Sequence, residues 1–96
     1  MIIKVNQEDI DKGIPSDCKG CALAVALKRN LGAKDVEVKV DDFQYILNEN
    51  GDAPQFTIDG KIYNHDTFDS VDYIHNFIQS FDSQQEVKPF EFELKI

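Results

Sequence analysis

Two cysteines form the one named motif of this sequence. Cys18 and Cys21 make a Cys-x-x-Cys pair directly ahead of an apolar stretch. At the start of a helix, the backbone dipole lowers the pKa of the first thiol, which is how dithiol oxidoreductases generate their attacking thiolate. In those proteins the pair directly follows a strand, whereas here a polar stretch from residue 7 to residue 17 intervenes. We therefore expect the pair to serve packing, with thiol-redox chemistry as an alternative.

Zinc is the other chemistry that a Cys-x-x-Cys pair can support. A closed site needs two further ligands, and His65 and His75 are the two histidines of the chain. On one continuous helix their ten-residue separation corresponds to about 15 Å, so they could share a metal only if the helix began after His65. We predict no metal and no cofactor, with zinc binding at the cysteines as an alternative.

No other constellation indicates catalysis. The five glycines are scattered, so no glycine-rich phosphate loop is present, and no serine stands in a nucleophile elbow. We therefore predict no catalytic residue and a protein that is not an enzyme.

Acidic residues dominate the middle of the chain. Of the net charge of −8, residues 41–82 supply nine acids against the single Lys61. Such a field repels phosphate backbones, which argues against direct nucleic-acid binding and favours a basic partner, although a solvated surface has the same composition. The predicted partner-binding residues are Asp41, Asp42, Asp59, Asp66, Asp69 and Asp72.

Periodicity predicts the elements that would position these residues. Alternating apolar residues predict strands at residues 2–6, 36–40, 43–47, 56–58, 61–63 and 90–96. Asp59-Gly60 fits a type I′ hairpin turn, and residues 48–54 read as a loop. Two helices are predicted, from a cap at Ser16 or Asp17 to Gly32, and from about Thr67, capped by Asn64 or Asp66, to about Phe81. The order β-α-β-β-β-β-α-β predicts an α+β fold with a mainly antiparallel sheet of five to six strands.

The size and composition favour one domain covering residues 1–96. The chain is 42% apolar with ten aromatic residues, enough for a single core. Its longest unbroken apolar run, Cys21–Leu27, is far shorter than the roughly 20 residues of a membrane-spanning helix. We expect no membrane association and a cytoplasmic location. The helix around residues 21–27 must be covered on more than one side, either within the domain or by a second subunit.

Several short motifs resemble those of a group of short uncharacterised proteins from bacteria and their phages. In this chain the motifs are Asp9-Ile10, Gly13-Ile14-Pro15, Cys18-x-x-Cys21 leading into Ala22 to Leu27, Phe77-Ile78 to Phe81-Asp82, and Pro89-Phe90-Glu91-Phe92. The resemblance covers both ends of the chain but not its middle. Proteins of that group often carry proline after the second cysteine, where this chain has Ala22.

The resemblance implies a phage or mobile-element setting and transfers no catalytic residue. In that setting, small acidic domains bind and block a host component, such as a defence nuclease, or capture a signalling molecule. The resulting hypothesis is a protein of the host cytoplasm that inhibits a host defence-type protein through the acidic residues between 41 and 72. The alternatives are a thiol-redox or zinc-binding domain, and an oligomeric protein that sequesters a small molecule, with residues 21–27 at its interface.

Overall fold

The computed structural model describes residues 1–41 and 53–95, which form an α+β arrangement of three helices and two antiparallel sheets. The elements are β1 (Ile2–Val5), α1 (Gln7–Lys12), α2 (Ala22–Leu31), β2 (Val36–Asp41), β3 (Ala53–Ile58), β4 (Lys61–Tyr63), a 3₁₀ turn (His65–Thr67), α3 (Val71–Asp82) and β5 (Phe90–Glu93). The predicted α+β class is confirmed, but the predicted order with two helices is wrong.

The first sheet pairs the two ends of the chain. Strands β1 and β5 run antiparallel, with Ile3 opposite Phe92. Beyond β5 the chain continues the pairing, because Phe68 bridges Leu94 and the backbone N–H of Asp69 donates to the carbonyl of Glu93 at 3.1 Å. The predicted single sheet of five to six strands is wrong, since these strands form no ladder with the hairpin strands.

The second sheet has the order β2-β3-β4. The predicted Asp59-Gly60 hairpin is confirmed, with φ of 49° at Asp59 and 86° at Gly60, both positive as a type I′ turn requires. Pro54, expected in a loop, lies within β3 opposite Val40. It is tolerated there because β4 pairs only with residues 56–58, so no β4 residue needs a donor from Pro54. The predicted strand at 43–47 and most of the predicted loop lie outside the described residues.

Helix α2 ends as predicted but begins later. Gly32 adopts the left-handed conformation (φ 66°) that closes a helix. The start lies at Ala22, with Cys21 as N-cap, and not at Ser16 or Asp17. The reason is that the Asp17 carbonyl accepts the backbone N–H groups of Gly20 and Cys21, which closes a separate turn ahead of the helix.

The apolar stretch of α2 is covered within this chain. Its alanines and leucines are buried, and only Val25 within residues 21–27 is half-buried. The helix packs on β1, β2 and α1. Elements of the same chain therefore cover it on more than one side, as expected for a helix with this apolar stretch.

Helix α1 was not predicted, because a polar stretch with Gly13 and Pro15 after it reads as a connection. The carboxylate of Asp9 accepts the backbone N–H of Asn6 at 2.8 Å, which caps the start of the helix. Asp9 is 1% exposed and receives two hydrogen bonds from Arg29 of α2, at 3.0 Å from Nε and 2.8 Å from Nη2. This ion pair fixes α1 against α2.

Helix α3 starts four residues later than predicted. Asn64 caps the 3₁₀ turn and not α3, and Ser70, in the left-handed region at φ 57°, separates that turn from the helix. Ile74, Phe77, Ile78 and Phe81 follow one another at the spacings of three and four that mark one face of an amphipathic helix, and all four are buried. His75 of α3 is also buried.

Three aromatic rings join the two sheets. Phe56 of β3 stacks on Phe68 with ring centroids 4.6 Å apart, and Phe92 of β5 lies 5.9 Å from Phe56 and 6.1 Å from Phe68. Such pairs add stabilisation beyond the burial of their area. The sheets therefore share one core although they share no ladder.

The outer side of β1 is closed by a side chain. Asn30, at the end of α2, donates from Nδ2 to the Lys4 carbonyl at 2.9 Å and accepts the Lys4 N–H at 3.2 Å through Oδ1. Nη2 of Arg29 donates to the same carbonyl at 2.8 Å. The backbone groups of Lys4 that do not face β5 are thus satisfied.

Candidate binding site

A cavity of about 300 Å³ opens between α2, α3, β2 and the segment that precedes α2. The size lies at the lower end of the range for small-molecule sites, and the opening connects it to solvent. Its lining residues are Ser16, Asp17, Cys18, Cys21, Leu23, Val38, Phe77, Ile78, Phe81 and Asp82.

The walls of the cavity are apolar. Leu23 projects from the first turn of α2, Val38 from the centre of β2, and Phe77 and Phe81 from consecutive turns of α3. The two phenylalanine rings are parallel within 2°, with centroids 6.1 Å apart. The spacing of four residues on α3 places both rings on one helix face.

The segment of residues 14–21 forms the fourth side and is held in place at several points. The backbone N–H of Val38 donates to the Cys18 carbonyl at 2.7 Å, and the N–H of Ile14 donates to the Gly20 carbonyl at 2.7 Å. Gly13, just ahead, lies so close to α2 that an added Cβ would stand 2.6 Å from the backbone nitrogen of Ala22. These contacts fix the segment against β2 and α2 as one side of the cavity.

Two carboxylates, those of Asp17 and Asp82, lie among the lining residues, and both side chains are half-buried. Oδ1 of Asp17 accepts the N–H groups of Lys19 and Gly20 at 3.0 and 3.2 Å, and Oδ1 of Asp82 accepts the Ser16 N–H at 2.9 Å. Among the described residues, neither carboxylate forms an ion pair, and neither Oδ2 atom accepts a hydrogen bond. Each acid is thus oriented through one oxygen while the other remains available.

Both cysteines line this cavity as free thiols. Cys21 is 7% exposed, and burial is the main cause that raises the pKa of its thiol; the negative charges of Asp82 and Asp17 add to it, against a smaller opposing effect of the Ala24 and Leu23 amides. Cys18 is exposed, and its Sγ donates to Oε2 of Glu37 at 3.7 Å. The raised pKa of Cys21 favours its thiol over the nucleophilic thiolate.

The two histidines lie in different elements, since α3 begins after His65, as the predicted helix start near Thr67 required. His65 lies in the 3₁₀ turn and His75 in α3. Across residues 1–41 and 53–95, the structure brings together no group of three metal-ligating side chains of His, Cys, Asp or Glu.

The predicted acidic residues lie in separate parts of the fold. Asp41 ends β2 opposite Ala53, whereas Asp59 follows the Ile58 that pairs with Val36 at the other end of the same ladder. Five residue steps of a strand span about 17 Å. Oδ1 of Asp59 accepts the backbone N–H groups of Lys34 and Asp35 at 3.0 and 2.9 Å, so this carboxylate helps to form the hairpin end. Asp42 lies outside the described residues.

Three of the predicted acids remain close in the chain. Asp66 lies in the 3₁₀ turn, Asp69 lies between that turn and α3, and Asp72 is in the first turn of α3; all three are exposed. Oδ1 of Asp69 accepts the Glu93 N–H at 2.8 Å, so this residue also holds the edge of β5. Asp66 and Asp72 form no ion pair or hydrogen bond within the described part of the chain, which leaves both carboxylates to solvent.

Comparisons with protein-family models, with curated proteins and with solved structures found no match for this chain. Among the helices of the described ranges, none combines the length and the apolar character needed to cross a membrane.

The cavity itself was not predicted from the sequence. The sequence predicts Asp17 as a possible helix cap and a second helix that ends near Phe81, but it gives no reason for these residues to line a common cavity. The one signal that pointed here was the unusual density of cysteine, glycine and proline between residues 13 and 21, which marks a segment with its own structure.

Proposed function

We propose that this chain is a binding protein that captures a basic protein partner through its uncompensated negative surface. One observation carries the proposal: the five aspartates of residues 53–82 form no ion pair within the described residues, and one of them, Asp82, lines an open cavity together with Asp17. The resemblance to short phage and bacterial proteins supports an extension, in which the partner is a host protein that the chain inhibits.

The charge is distributed unevenly over the described structure. Residues 53–82 carry five aspartates and the single Lys61, which stands 5.2 Å from the ring centroid of Tyr63. The ion pairs within the described residues engage Glu8, Asp9, Glu37 and Glu93, all of them outside this range. The field of residues 53–82 is therefore available to a cationic partner and would raise its association rate.

Binding suits the site better than catalysis does. Burial raises the pKa of the Cys21 thiol, which disfavours the nucleophilic thiolate, and the carboxylates Asp17 and Asp82 each accept backbone N–H groups that fix local turns. Apolar walls with a few oriented polar groups are typical of recognition sites.

Salt dependence tests the electrostatic mechanism. We expect a partner isolated by affinity capture, then purified, to bind tightly at 0.1 M salt and weakly at 1 M, because the screening length falls from about 10 Å to about 3 Å. Affinity that is unchanged at 1 M salt would remove the charge-based proposal.

Charge reversal tests the location of the surface. Asp66→Lys with Asp72→Lys should weaken binding, whereas Asp69 is left intact because its carboxylate holds the Glu93 backbone. The matched control is Asp11→Lys with Glu86→Lys, which changes the net charge by the same amount at exposed positions outside residues 53–82. Equal weakening by both pairs would show a general charge effect and no defined surface.

A further inference from the structure

We infer that the cavity between α2 and α3 receives one cationic side chain of the partner, an arginine or a lysine, with its aliphatic part between Leu23 and Phe77 and its charge at Asp17 and Asp82. The inference rests on the proposed function, since the occupant belongs to the basic partner.

The walls match the aliphatic part of such a side chain. Arginine and lysine bury their methylene groups against apolar surface while keeping the charged end in a polar environment. The cavity, at about 300 Å³, is bounded by Leu23, Val38 and two parallel phenylalanine rings. A guanidinium group also gains from lying over the face of an aromatic ring, and Phe77 and Phe81 both line the cavity.

The carboxylates match the charged end. Asp17 lies in the segment before α2 and Asp82 ends α3, yet each has its Oδ1 fixed by backbone donors. Because Oδ1 is occupied, the acids are oriented before a ligand arrives, and the remaining oxygens can accept charge-assisted hydrogen bonds. No lysine or arginine of the described chain pairs with either acid, so a cation from outside meets no competitor.

The same chemistry disfavours other occupants. An anion would face two negative charges in a partly apolar environment, where repulsion is less screened than in water. A neutral aliphatic group would pack against the apolar walls but would form no charge-assisted hydrogen bond with the carboxylates. The cation is the one class that satisfies both parts of the site.

A small probe tests the cavity without any partner. The purified chain is titrated with n-butylguanidinium, and with n-pentanol and n-pentanoate as neutral and anionic counterparts, while backbone amide shifts are followed by NMR. We expect saturable binding of the cation alone, with the largest shifts at Leu23, Val38 and Phe77. Saturable binding of n-pentanol with equal affinity, or shifts confined to other residues, would overturn the inference.

The isosteric pair Asp17→Asn and Asp82→Asn provides the matched variant. Asparagine keeps the carbonyl oxygen that accepts the backbone N–H groups but removes the charge, so the fold should persist, as its amide spectrum and thermal unfolding would verify. We expect the affinity for n-butylguanidinium to fall at least about tenfold, as the loss of a charge-assisted hydrogen bond predicts. An unchanged affinity in the folded variant would contradict the assignment.

The purified partner separates this inference from the function on which it rests. Loss of partner binding in the Asp17→Asn, Asp82→Asn variant supports the cavity assignment. If only the Asp66→Lys, Asp72→Lys variant loses binding, the cavity inference fails while the acidic binding function stands. If neither variant weakens binding, both fail.

Discussion

At the scale of single residues, the two cysteines differ more in environment than their spacing suggests. Cys18 is exposed, whereas Cys21 caps α2 and is almost fully buried. Burial raises the pKa of the Cys21 thiol, and the nearby carboxylates act in the same direction. The motif Cys-x-x-Cys therefore describes two thiols of unequal accessibility and not a matched pair.

We expect one thiol of the native protein to react quickly with iodoacetamide and the second to react only after unfolding. The fast thiol is Cys18 because it is open to solvent, and mass spectrometry of peptides after timed labelling would locate it. In a Cys18→Ser variant the fast phase should disappear. Equal labelling rates at both positions would contradict the environment described for Cys21.

Arg29→Ala should destabilise the fold by about 1.5–3 kcal/mol, the range for hydrogen bonds to charged groups. The substitution leaves Asp9 buried without its bidentate partner, although the Arg29 side chain is itself 43% exposed and water can replace part of it. Urea unfolding measures the change. The control is Lys12→Ala, which removes an exposed ion pair with Glu8 and should cost less than about 1 kcal/mol.

The same pair predicts a pH dependence. Burial alone would raise the pKa of Asp9, but its hydrogen bonds to Arg29 and to the Asn6 amide, together with the charges of Arg29 and Lys12, outweigh burial and lower that pKa. A depressed pKa contributes stability that is present at neutral pH and is lost as the pH falls through the folded-state value.

The wild type should therefore exceed Asp9→Asn in stability at pH 7, and the difference should shrink below about pH 4, where an unfolded aspartate titrates. Unfolding free energies of both proteins from pH 7 to pH 2.5 would show it. A difference that stays constant over this range would mean that the Asp9 charge does not contribute.

At the scale of elements, one close approach positions the wall of the cavity. Gly13 has φ of −68°, which any residue can adopt, so its constraint is steric and not conformational. A Cβ there would stand 2.6 Å from the Ala22 nitrogen and 2.8 Å from Cζ of Phe81. The absence of a side chain is what lets the segment before α2 lie against both α2 and α3.

We expect Gly13→Ala to destabilise the fold by about 1–3 kcal/mol, because backbone atoms cannot yield as a flexible side chain would. Thermal or urea unfolding measures the loss, and the amide shifts of residues around Phe81 should move with it. Gly32→Asn is the control, since Gly32 has open space around it and asparagine tolerates the left-handed conformation. A neutral Gly13→Ala would show that the contact is looser than described.

Strong local signals predicted the right elements. The Asp59-Gly60 turn, the β2 strand and the Gly32 stop were all confirmed, since each depends on a few neighbouring residues. Helix α1 was missed because its only apolar position is Ile10, and its stability comes from Asp9 meeting Arg29 twenty residues away. The late start of α3 has a similar origin, since Phe68 leaves the helix pattern to bridge Leu94.

The candidate site was less predictable than the fold. Its lining residues come from the segment before α2 and from α2, β2 and α3, and no local pattern states that these elements converge. The acidic residues illustrate the reverse case. Asp59 and Asp69 matched a charge pattern, yet their carboxylates hold backbone N–H groups just ahead of β2 and at the end of β5. Charge in a sequence does not distinguish an acid that binds a partner from one that supports a turn.

At the scale of the whole molecule, the net negative charge and the burial of the apolar stretch of α2 both disfavour self-association. The stretch of residues 21–27, which could have formed a subunit interface, is buried within the chain. The net charge of −8 also opposes self-association, because like-charged molecules repel each other.

We therefore expect a monomer of 10.9 kDa across a wide range of protein concentrations. Sedimentation equilibrium at 0.1 M salt measures the mass, and a repeat at 0.5 M salt tests whether screening the charge permits association. A stable dimer at low concentration would return the helix around residues 21–27, or another face, to consideration as an interface.

The amide of Asn30 also protects the exposed side of β1 from pairing with a strand of another protein molecule. Fibrils grow when an exposed strand accepts a new chain through its unpaired backbone groups. The Asn30 amide bonds both the N–H and the carbonyl of Lys4, as a neighbouring strand would. An incoming strand therefore finds no unpaired backbone group at Lys4. Asn30→Leu would leave the Lys4 N–H without its partner while Arg29 still holds the Lys4 carbonyl, so the flank would offer a free donor to a strand of another molecule.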